Sequence, residues 1–498
     1  MKNAKFGWAA VLCLLAATTA WAADGPAKPA DKGLAGFWQG AIKTGAIELR
    51  VVLNITAKPD AGFIGTLDSP DQGAKGIPID EIDLKDADVK LDLKTIKASF
   101  DGKMSDDGKE IAGTWKQGGS DFPLTFKRLD KAPDYDRPQD PKKPYPYAEE
   151  EVTFENPLTL PPPPSKGGEG RVRGSAGVKF AGTLTIPKGK GPFPAAVLIT
   201  GSGAHDRNES LLGHRPFLVI ADHLTRNGVA VLRYDDRGVG GSTGDKMAVS
   251  SADLAEDVLA AVAFLKTRPE IDAKKIGLIG HSEGGIIAPM AAAKSDDVAF
   301  IVLLAGPGLS GEEILYRQAE LIARAGGADD KAVGRQRAIQ EKMFAIVKKE
   351  KDDKAAREQI EAAIKEAIDK LSDDEKKEVE KNKGAAAANM NLMLTPWFRY
   401  FLAYDPAPTL KRVKCPVLAL DGERDLQVPA KADLEAIDKA LKDGGDKDVT
   451  VKELPKLNHL FQTCDTGAPT EYGKIDETFA PAALNEISGW INKRFGTP

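Results

Sequence analysis

The stretch that decides the fold is Lys275-Ile-Gly-Leu-Ile-Gly-His-Ser-Glu-Gly-Gly-Ile286. Its apolar run Ile276–Ile279 is typical of a buried strand, and the small residues of Ile286–Ala293 are typical of a helix. Between them, Gly280–Gly284 fits G-x-S-x-G, in which glycines let two backbones pass close to a strained serine whose hydroxyl stays exposed. We therefore predict a strand, a sharp turn and a helix, with Ser282 as the nucleophile. The alternative is a glycine-rich turn without catalytic function.

Composition sets broad limits on the protein. The chain has 498 residues, of which 42% are hydrophobic and 29% charged, and its formal net charge is −5. This length allows two or three domains with a large core. The slightly acidic balance gives no reason to expect nucleic acid or an anionic membrane as a partner. Composition does not indicate the oligomeric state.

The first residues have the order of a secretory signal peptide. Lys2 and Lys5 precede the apolar run Trp8–Ala17, and small residues follow up to Ala20-Trp21-Ala22. We predict a signal peptide over residues 1–22, cleaved after Ala22, and hence a periplasmic or secreted protein. The run is too short for a membrane anchor, so no stable membrane insertion is expected after cleavage.

Two cysteines, Cys415 and Cys464, stay in the mature chain. They could pair in an exported protein, but two thiols do not make a disulfide framework. We favour free and mostly buried thiols over a bridge.

Residues 34–130 are predicted to form a small all-β domain. Apolar residues alternate with polar ones in the stretches 47–56 and 89–94, and turn signals such as Asp101-Gly102 recur. Short strands at this spacing indicate an antiparallel sandwich or small barrel. Its inward face could bind a lipid or acyl chain, although such a face is more often core. Five prolines in residues 131–148 then indicate a stiff, extended linker.

Residues 149–498 alternate strand and helix patterns, which predicts a doubly wound α/β domain with a mostly parallel sheet. The strand patterns are Ala195–Thr200, Val229–Tyr234, Ile276–Ile279, Phe300–Leu304, Cys415–Leu420 and Val449–Leu454. About 310–411 is a charged helical excursion, including a capping box at Ser372–Glu375, and predicts a helical cap. In it, Trp397, Tyr400 and Phe401 either line a substrate pocket or pack the cap onto the domain.

A serine nucleophile needs a general base and an acid that orients the base. On a serine turn of this type the partners follow in the order Ser…Asp/Glu…His. His459 is the one histidine after Ser282, so elimination selects it. Asp421, Glu423 and Asp425 follow the preceding strand. We choose Asp425, which should lie on the loop, with Asp421 as the fallback.

The oxyanion of the reaction needs two backbone N–H donors. We assign one to Glu283, which follows the nucleophile, and the other to Ser202 or, second, Gly203, after the strand Ala195–Thr200. The loop Tyr234–Ser242 lacks the lysine of a phosphate loop, and we interpret it as structural, with its charges in local salt bridges. No metal-ligand spacing is present, and we expect neither a metal nor a cofactor.

These motifs together resemble the secreted or periplasmic bacterial α/β-hydrolase esterases, which carry an N-terminal β-domain and a helical cap. The resemblance rests on Gly201–Gly203 with Asp206-Arg207, Asp235–Ser242, Gly280–Gly285, Asp425–Pro429 and Asn458-His459. Residues 34–130 resemble, less specifically, the lipocalin-like barrels attached to some of these enzymes. The resemblance implies hydrolysis of small carboxylic esters, although the superfamily also holds acyl-peptide and dipeptidyl hydrolases and thioesterases.

We therefore predict a serine carboxylesterase that acts on short- to medium-chain esters through an acyl-enzyme. A peptidase or thioesterase on the same residues is the first alternative. The second, from another class, is an inactive hydrolase-like protein that binds lipid or envelope material.

Overall fold

The structure is a computed structural model that describes residues 33–44, 47–58, 62–72, 74–117, 120–133, 137–157, 177–373, 376 and 389–496. The predicted signal peptide and part of the predicted capping box Ser372–Glu375 lie outside these residues.

The N-terminal domain is one antiparallel sheet with the strand order β4-β3-β2-β1-β9-β8-β7-β6-β5. Its edge strands β4 and β5 approach β6 and β3, so the sheet curls into a nearly closed barrel. The prediction of a small antiparallel β-domain is confirmed. The strands are β1 Gly36–Thr44, β2 Ile47–Ala57, β3 Phe63–Ser69, β4 Ala74–Ile79, β5 Glu81–Lys85, β6 Asp88–Leu93, β7 Ala98–Met104, β8 Glu110–Gln117 and β9 Ser120–Leu129.

The inside of this barrel is filled by large side chains. Trp38, Phe100, Trp115 and Phe126 are each at most 1% exposed, and they belong to one apolar cluster with the alternating residues of the strands. Phe100 and Phe126 meet edge to face with ring centroids 5.1 Å apart. The inward face is therefore a packed core, which is the simpler of the two expectations for it.

The second sheet has the order β10-β11-β13-β12-β14-β15-β16-β17. From β13 to β17 all neighbours are parallel, while β11 runs antiparallel to both of its neighbours. This is the α/β-hydrolase fold, as the sequence predicted. The strands are β10 Ala148–Asn156, β11 Val178–Ile186, β12 Phe193–Ile199, β13 Ala230–Tyr234, β14 Ile271–His281, β15 Phe300–Leu304, β16 Val417–Gly422 and β17 Val449–Leu454.

Helices cover both faces of this sheet, because its central strands are apolar on both sides. In β12, Ala195 and Val197 pack into one apolar cluster, and Ala196 and Leu198 pack into the other. The covering helices are Pro216–Arg226, Ser251–Lys266, Gly284–Ala292, Ala430–Asp443 and Pro481–Phe495.

A helical insertion lies between β15 and β16, where the sequence predicts the cap. Its helices are Gly311–Ala325, Asp330–Lys349, Asp353–Asp369, Pro396–Ala403 and the short Ala407–Leu410. Asp329, Asp352 and Thr395 cap three of them by accepting hydrogen bonds from backbone N–H groups. No helix in the described ranges is long and apolar enough to cross a bilayer.

The proline-rich segment before β10 is bound to the hydrolase domain over its described part. The Gln139 side chain accepts from the N–H groups of Thr478 and Phe479 and donates to the Phe479 carbonyl. Asp140 forms an ion pair with Arg215. Elsewhere, Cys415 and Cys464 are both free thiols, as predicted, and burial raises the pKa of Cys415 to about 12.

Candidate active site

Ser282 lies at the sharp turn between β14 and the helix Gly284–Ala292. Its φ of 53° lies in the left-handed region, which a non-glycine residue rarely adopts. The Ser282 N–H donates to the Leu304 carbonyl of the neighbouring strand at 2.9 Å, and this bond fixes the turn against the sheet. The strand, turn and helix expected from the sequence are therefore present around the serine.

The glycines of this turn are required by close packing of backbone on backbone. A Cβ at Gly280 would lie 2.0 Å from the carbonyl oxygen of Gly284. A Cβ at Gly284 would lie 2.2 Å from the carbonyl oxygen of Ile199, at the end of β12. Because these glycines have no side chains, the serine turn packs directly against β12, the strand that leads to Ser202 and Gly203.

His459 is joined to Asp425 by a hydrogen bond of 2.6 Å between Nδ1 and Oδ2, and both side chains are buried. The other carboxylate oxygen of Asp425 accepts from the N–H groups of Gln427 and Val428. Asp425 therefore has a fixed orientation and leaves Nε2 as the histidine atom available to a serine hydroxyl.

The other two acidic candidates are engaged elsewhere. Asp421 is buried within β16 and accepts a hydrogen bond from the Gly422 N–H. Its pKa is raised well above the usual range, mainly by burial and secondly by the negative charge of the neighbouring Asp425. Glu423 accepts from the Lys456 N–H at 2.8 Å. Of the three candidate carboxylates, Asp425 is the one that bonds His459.

The N–H groups assigned to the oxyanion are free of protein acceptors in the described part of the chain. This holds for Glu283, which follows the serine, and for Ser202 and Gly203, which follow β12. The loop from β12 reaches the serine, since a Cβ at Gly201 would lie 3.2 Å from Ser282 Cβ. Both Ser202 and Gly203 therefore have an N–H group that can act as the second oxyanion donor.

A buried ion pair that could not be predicted from the sequence connects the serine turn to the loop that follows β12. His281 Nδ1 bonds Glu209 Oε1 at 3.0 Å, and His281 Nε2 bonds the His459 carbonyl at 3.0 Å. Glu209 Oε1 also accepts from the Gly201 N–H at 2.7 Å. Both ring nitrogens of His281 face acceptors, so both must carry a proton, and His281 is an imidazolium.

The pKa shifts of the pair agree with this geometry. Burial alone would lower the pKa of His281, but the Glu209 carboxylate, with smaller contributions from the His459 carbonyl and Asp425, outweighs burial and raises that pKa. Burial likewise opposes ionisation of Glu209, and His281 reverses the effect and lowers the pKa of that carboxyl. The chain order excludes His281 as the general base, because it precedes Ser282, and its position inside the motif is the one sequence signal that it belongs to the site.

The three cap aromatics take different positions. Trp397 is buried, and its ring N–H donates to Glu283 Oε1 at 2.7 Å, while Ser251 donates to the same oxygen at 2.6 Å. Phe401 is also buried and stacks on Trp397. Tyr400 is half-buried and stacks on Tyr404. Trp397 and Phe401 thus pack the cap onto the hydrolase domain, and Trp397 reaches the residue beside the nucleophile.

The loop Tyr234–Ser242 forms the local salt bridges that we expected from its charges. Asp235 pairs with Arg207, Asp236 with Lys246, and Arg237 with Asp257. No group of three or more potential metal ligands is found in the described ranges.

Comparison with known proteins agrees with the fold. Residues 215–363 match the family model described as serine aminopeptidase, S33. This segment contains Ser282 and most of the insertion, and it ends before Asp425 and His459.

Two curated relatives and one solved structure illustrate the similarity. Esterase EstD of Thermotoga maritima is 28% identical over 63% of this chain and 65% of its own length. Thiohydrolase apmlB of Arthrinium phaeospermum is 35% identical over 25% of this chain and 38% of its own length. The chain thus spans less than two thirds of either relative. The α/β hydrolase GrgF from Penicillium sp. sh18 is 18% identical, with a TM-score of 0.42, over 70% of this chain and 100% of GrgF.

Proposed function

We propose that the protein is a serine carboxylesterase that hydrolyses short- to medium-chain carboxylic esters through an acyl-enzyme. The observation that carries this proposal is the 2.6 Å bond between His459 and Asp425, on loops beside a serine in a left-handed turn. The similarity to a protein named as an esterase supports it.

The proposed mechanism uses the serine, histidine and aspartate side chains and the backbone N–H groups described above. Ser282 Oγ attacks the ester carbonyl carbon while His459 Nε2 takes the hydroxyl proton. Asp425 holds the tautomer of His459 and stabilises its cation. The N–H groups of Glu283 and Ser202 stabilise the oxyanion, and the alcohol leaves with the proton from His459. Water, activated by His459, then releases the carboxylic acid and restores Ser282.

The decisive experiment compares ester substrates with anilide substrates. Initial rates are measured on p-nitrophenyl acetate, butyrate and octanoate, and on aminoacyl p-nitroanilides. We expect the esters to dominate, and Ser282→Ala to lower kcat by about 10⁴-fold or more. Dominant anilide cleavage would instead assign a peptidase, in line with the name of the matching family model.

A thioesterase is the second candidate, because one relative is named as a thiohydrolase. An acyl thioester would form the same acyl-enzyme and differ only in its leaving group. S-butyryl thiocholine, compared with butyrylcholine, isolates this difference. A much higher kcat/KM on the thioester would move the assignment to thioesters.

An inactive binding protein is tested by covalent labelling. A fluorophosphonate should label Ser282 in the wild-type protein and not in Ser282→Ala. A well-folded wild-type protein that is not labelled would contradict the enzymatic proposal. Export stays a prediction from residues 1–22, and the mass of the exported protein would show whether cleavage follows Ala22.

A further inference from the structure

The loop between β12 and residue 209 rests on a buried lysine. Lys246 is 2% exposed, and its ammonium donates to three acceptors. These are the Gly201 carbonyl at 3.0 Å, the Thr200 hydroxyl at 3.0 Å and Asp236 Oδ2 at 2.8 Å. An ammonium has three donors, so all of its hydrogen bonds are used.

One of these contacts fixes a peptide group of the candidate oxyanion site. The Gly201 carbonyl belongs to the same peptide as the Ser202 N–H, and in a trans peptide these two groups point in opposite directions. Because the carbonyl points at Lys246, the N–H points away from it, and no protein acceptor for this N–H is seen in the described residues. The Gly201 N–H is held separately, by Glu209.

We propose that Lys246 is a positioning residue of the oxyanion site, which acts by holding and polarising the Gly201–Ser202 peptide so that the Ser202 N–H faces the developing charge. The proposal rests on the proposed function, because it needs Ser282 to form an oxyanion. A cation on the carbonyl makes the N–H a better donor, and in a buried site this effect is weakly screened. The proposal thus assigns the second oxyanion donor to Ser202 rather than to Gly203.

The alternative donor has its own support, which makes the choice testable. The Ser202 carbonyl, in the peptide that carries the Gly203 N–H, is bonded by His205 Nε2 at 3.0 Å. If Gly203 were the donor, His205 would be the residue that orients it. Substitution of His205 should then affect the reaction more than substitution of Lys246.

The test variant is Lys246→Met/Asp236→Asn, because removal of the lysine alone would leave a buried unpaired carboxylate. The chain offers a matched control in Arg237→Met/Asp257→Asn. Arg237 and Asp257 form a similarly buried ion pair in the same region, and they bond each other and Asn156 rather than the oxyanion loop. His205→Ala is the third variant.

The readouts separate orientation of the oxyanion donor from general loss of structure. For Lys246→Met/Asp236→Asn, we expect kcat on p-nitrophenyl butyrate to fall about 10- to 100-fold, with KM within about 3-fold. The Ki of a butyl trifluoromethyl ketone, which forms a tetrahedral adduct on the serine, should rise by the same factor as kcat/KM falls. The control should keep its kcat within about 3-fold.

Several results would overturn the proposal while the esterase function stands. These are an unchanged kcat in the folded Lys246 variant, an equal loss in the control, or a larger loss in His205→Ala. If the Lys246 variant does not fold, Lys246→Arg/Asp236→Glu, which keeps both charges, is compared with a folded Thr200→Val variant. The proposal then requires the charge-conserving variant to have the higher kcat. A wild-type protein without fluorophosphonate label on Ser282 would instead remove the proposed function itself.

Discussion

Two loops present backbone N–H groups beside Ser282, and they are held in different ways. The serine turn, Gly280–Gly284, is held by steric packing, because its glycines leave room for nothing but backbone. The loop Thr200–Glu209 is held by buried charges, with Glu209 and His281 on one side and Lys246 and Asp236 on the other. A steric support does not depend on protonation, whereas a charged support does.

The pH range of the charged support follows from the direction of the two pKa shifts. His281 has a raised pKa, so its contribution to stability is full below about pH 6.5 and is lost as the pH rises through its folded value. Glu209 has a lowered pKa, so its contribution is full above about pH 4.5 and is lost as the pH falls through its folded value. The pair therefore stabilises the loop most between these limits.

The largest effect is expected for Glu209→Gln. This substitution keeps an acceptor for the Gly201 N–H and removes the anion from a fully buried pair. Breaking such a pair costs about 3 to 5 kcal/mol. Urea unfolding at pH 6 should show this loss in the free energy of unfolding, and the loss should shrink at pH 9, where the pair is weaker in the wild type.

A double-mutant cycle with His281→Gln checks that the effect belongs to the pair. Each single variant leaves one buried charge unpaired, whereas the double variant leaves none, so the double variant should be more stable than the sum of the two single losses predicts. Additive losses, or a loss that is the same at pH 6 and pH 9, would show that Glu209 and His281 act as separate neutral groups.

A third loop beside the site is held by a buried carboxyl whose pKa is raised in the folded protein. Asp433 Oδ1 accepts from the N–H groups of Gly308 and Leu309, and Oδ2 is buried without a partner. Burial raises the pKa of Asp433 to about 7. The unfolded chain releases this proton near pH 4, so the wild-type stability should fall between about pH 4 and 7.

Asp433→Asn mimics the protonated form and should remove this dependence. The difference between a pKa of about 4 in the unfolded chain and about 7 in the folded protein corresponds to about 4 kcal/mol, so the variant should gain up to that amount at pH 8 and little at pH 4. Thermal unfolding at both pH values is the measurement. A variant that is less stable than the wild type at pH 8 would mean that the ionised carboxylate is the better acceptor for the two N–H groups.

The steric support is tested by Gly284→Ala. The added Cβ would meet the Ile199 carbonyl, and overpacking of this kind costs about 1 to 3 kcal/mol. The loss should be equal at pH 6 and pH 9, in contrast to Glu209→Gln. Gly489→Ala is the matched control, because nothing lies within 4 Å of a Cβ there, and it should be neutral or stabilising. A loss in Gly284→Ala that depends on pH would contradict the idea that the serine turn is held by steric packing and the other loop by charges.

The same distinction explains what could be predicted from the sequence. The serine turn, the strands around it and the position of His459 follow from residues that are close in the chain or fixed in order. The supports of the oxyanion loop join residues far apart: Glu209 lies 72 positions before His281, and Lys246 lies 45 after Gly201. A lysine in a polar loop looks like a solvated charge until the fold buries it. Likewise, the aromatic cap residues could be predicted to meet the domain, but not which ring would reach Glu283.

An effect of similar size to that of Gly284→Ala is expected where the cap meets the serine turn, in Trp397→Phe. This change keeps an aromatic ring and removes the donor to Glu283, which should cost about 1.5 to 3 kcal/mol of unfolding free energy, since the acceptor is a carboxylate. Tyr400→Phe is the control, because no hydrogen bond of its hydroxyl is seen in the described ranges, and its change should stay within about 0.5 kcal/mol.

The acyl-chain profile then decides between the two predicted roles of Trp397. A ring that packs the cap onto the domain affects every ester alike, so kcat/KM should fall by a similar factor on acetate, butyrate and octanoate. A ring that lines the acyl pocket would change the preference between these chains, because its smaller replacement leaves room for a longer acyl group. Since Trp397 is buried in the apolar cluster of the domain and bonded at its polar edge, we expect the uniform fall. A shift of the preference towards octanoate in Trp397→Phe, absent in Tyr400→Phe, would assign the Trp397 ring to the acyl pocket.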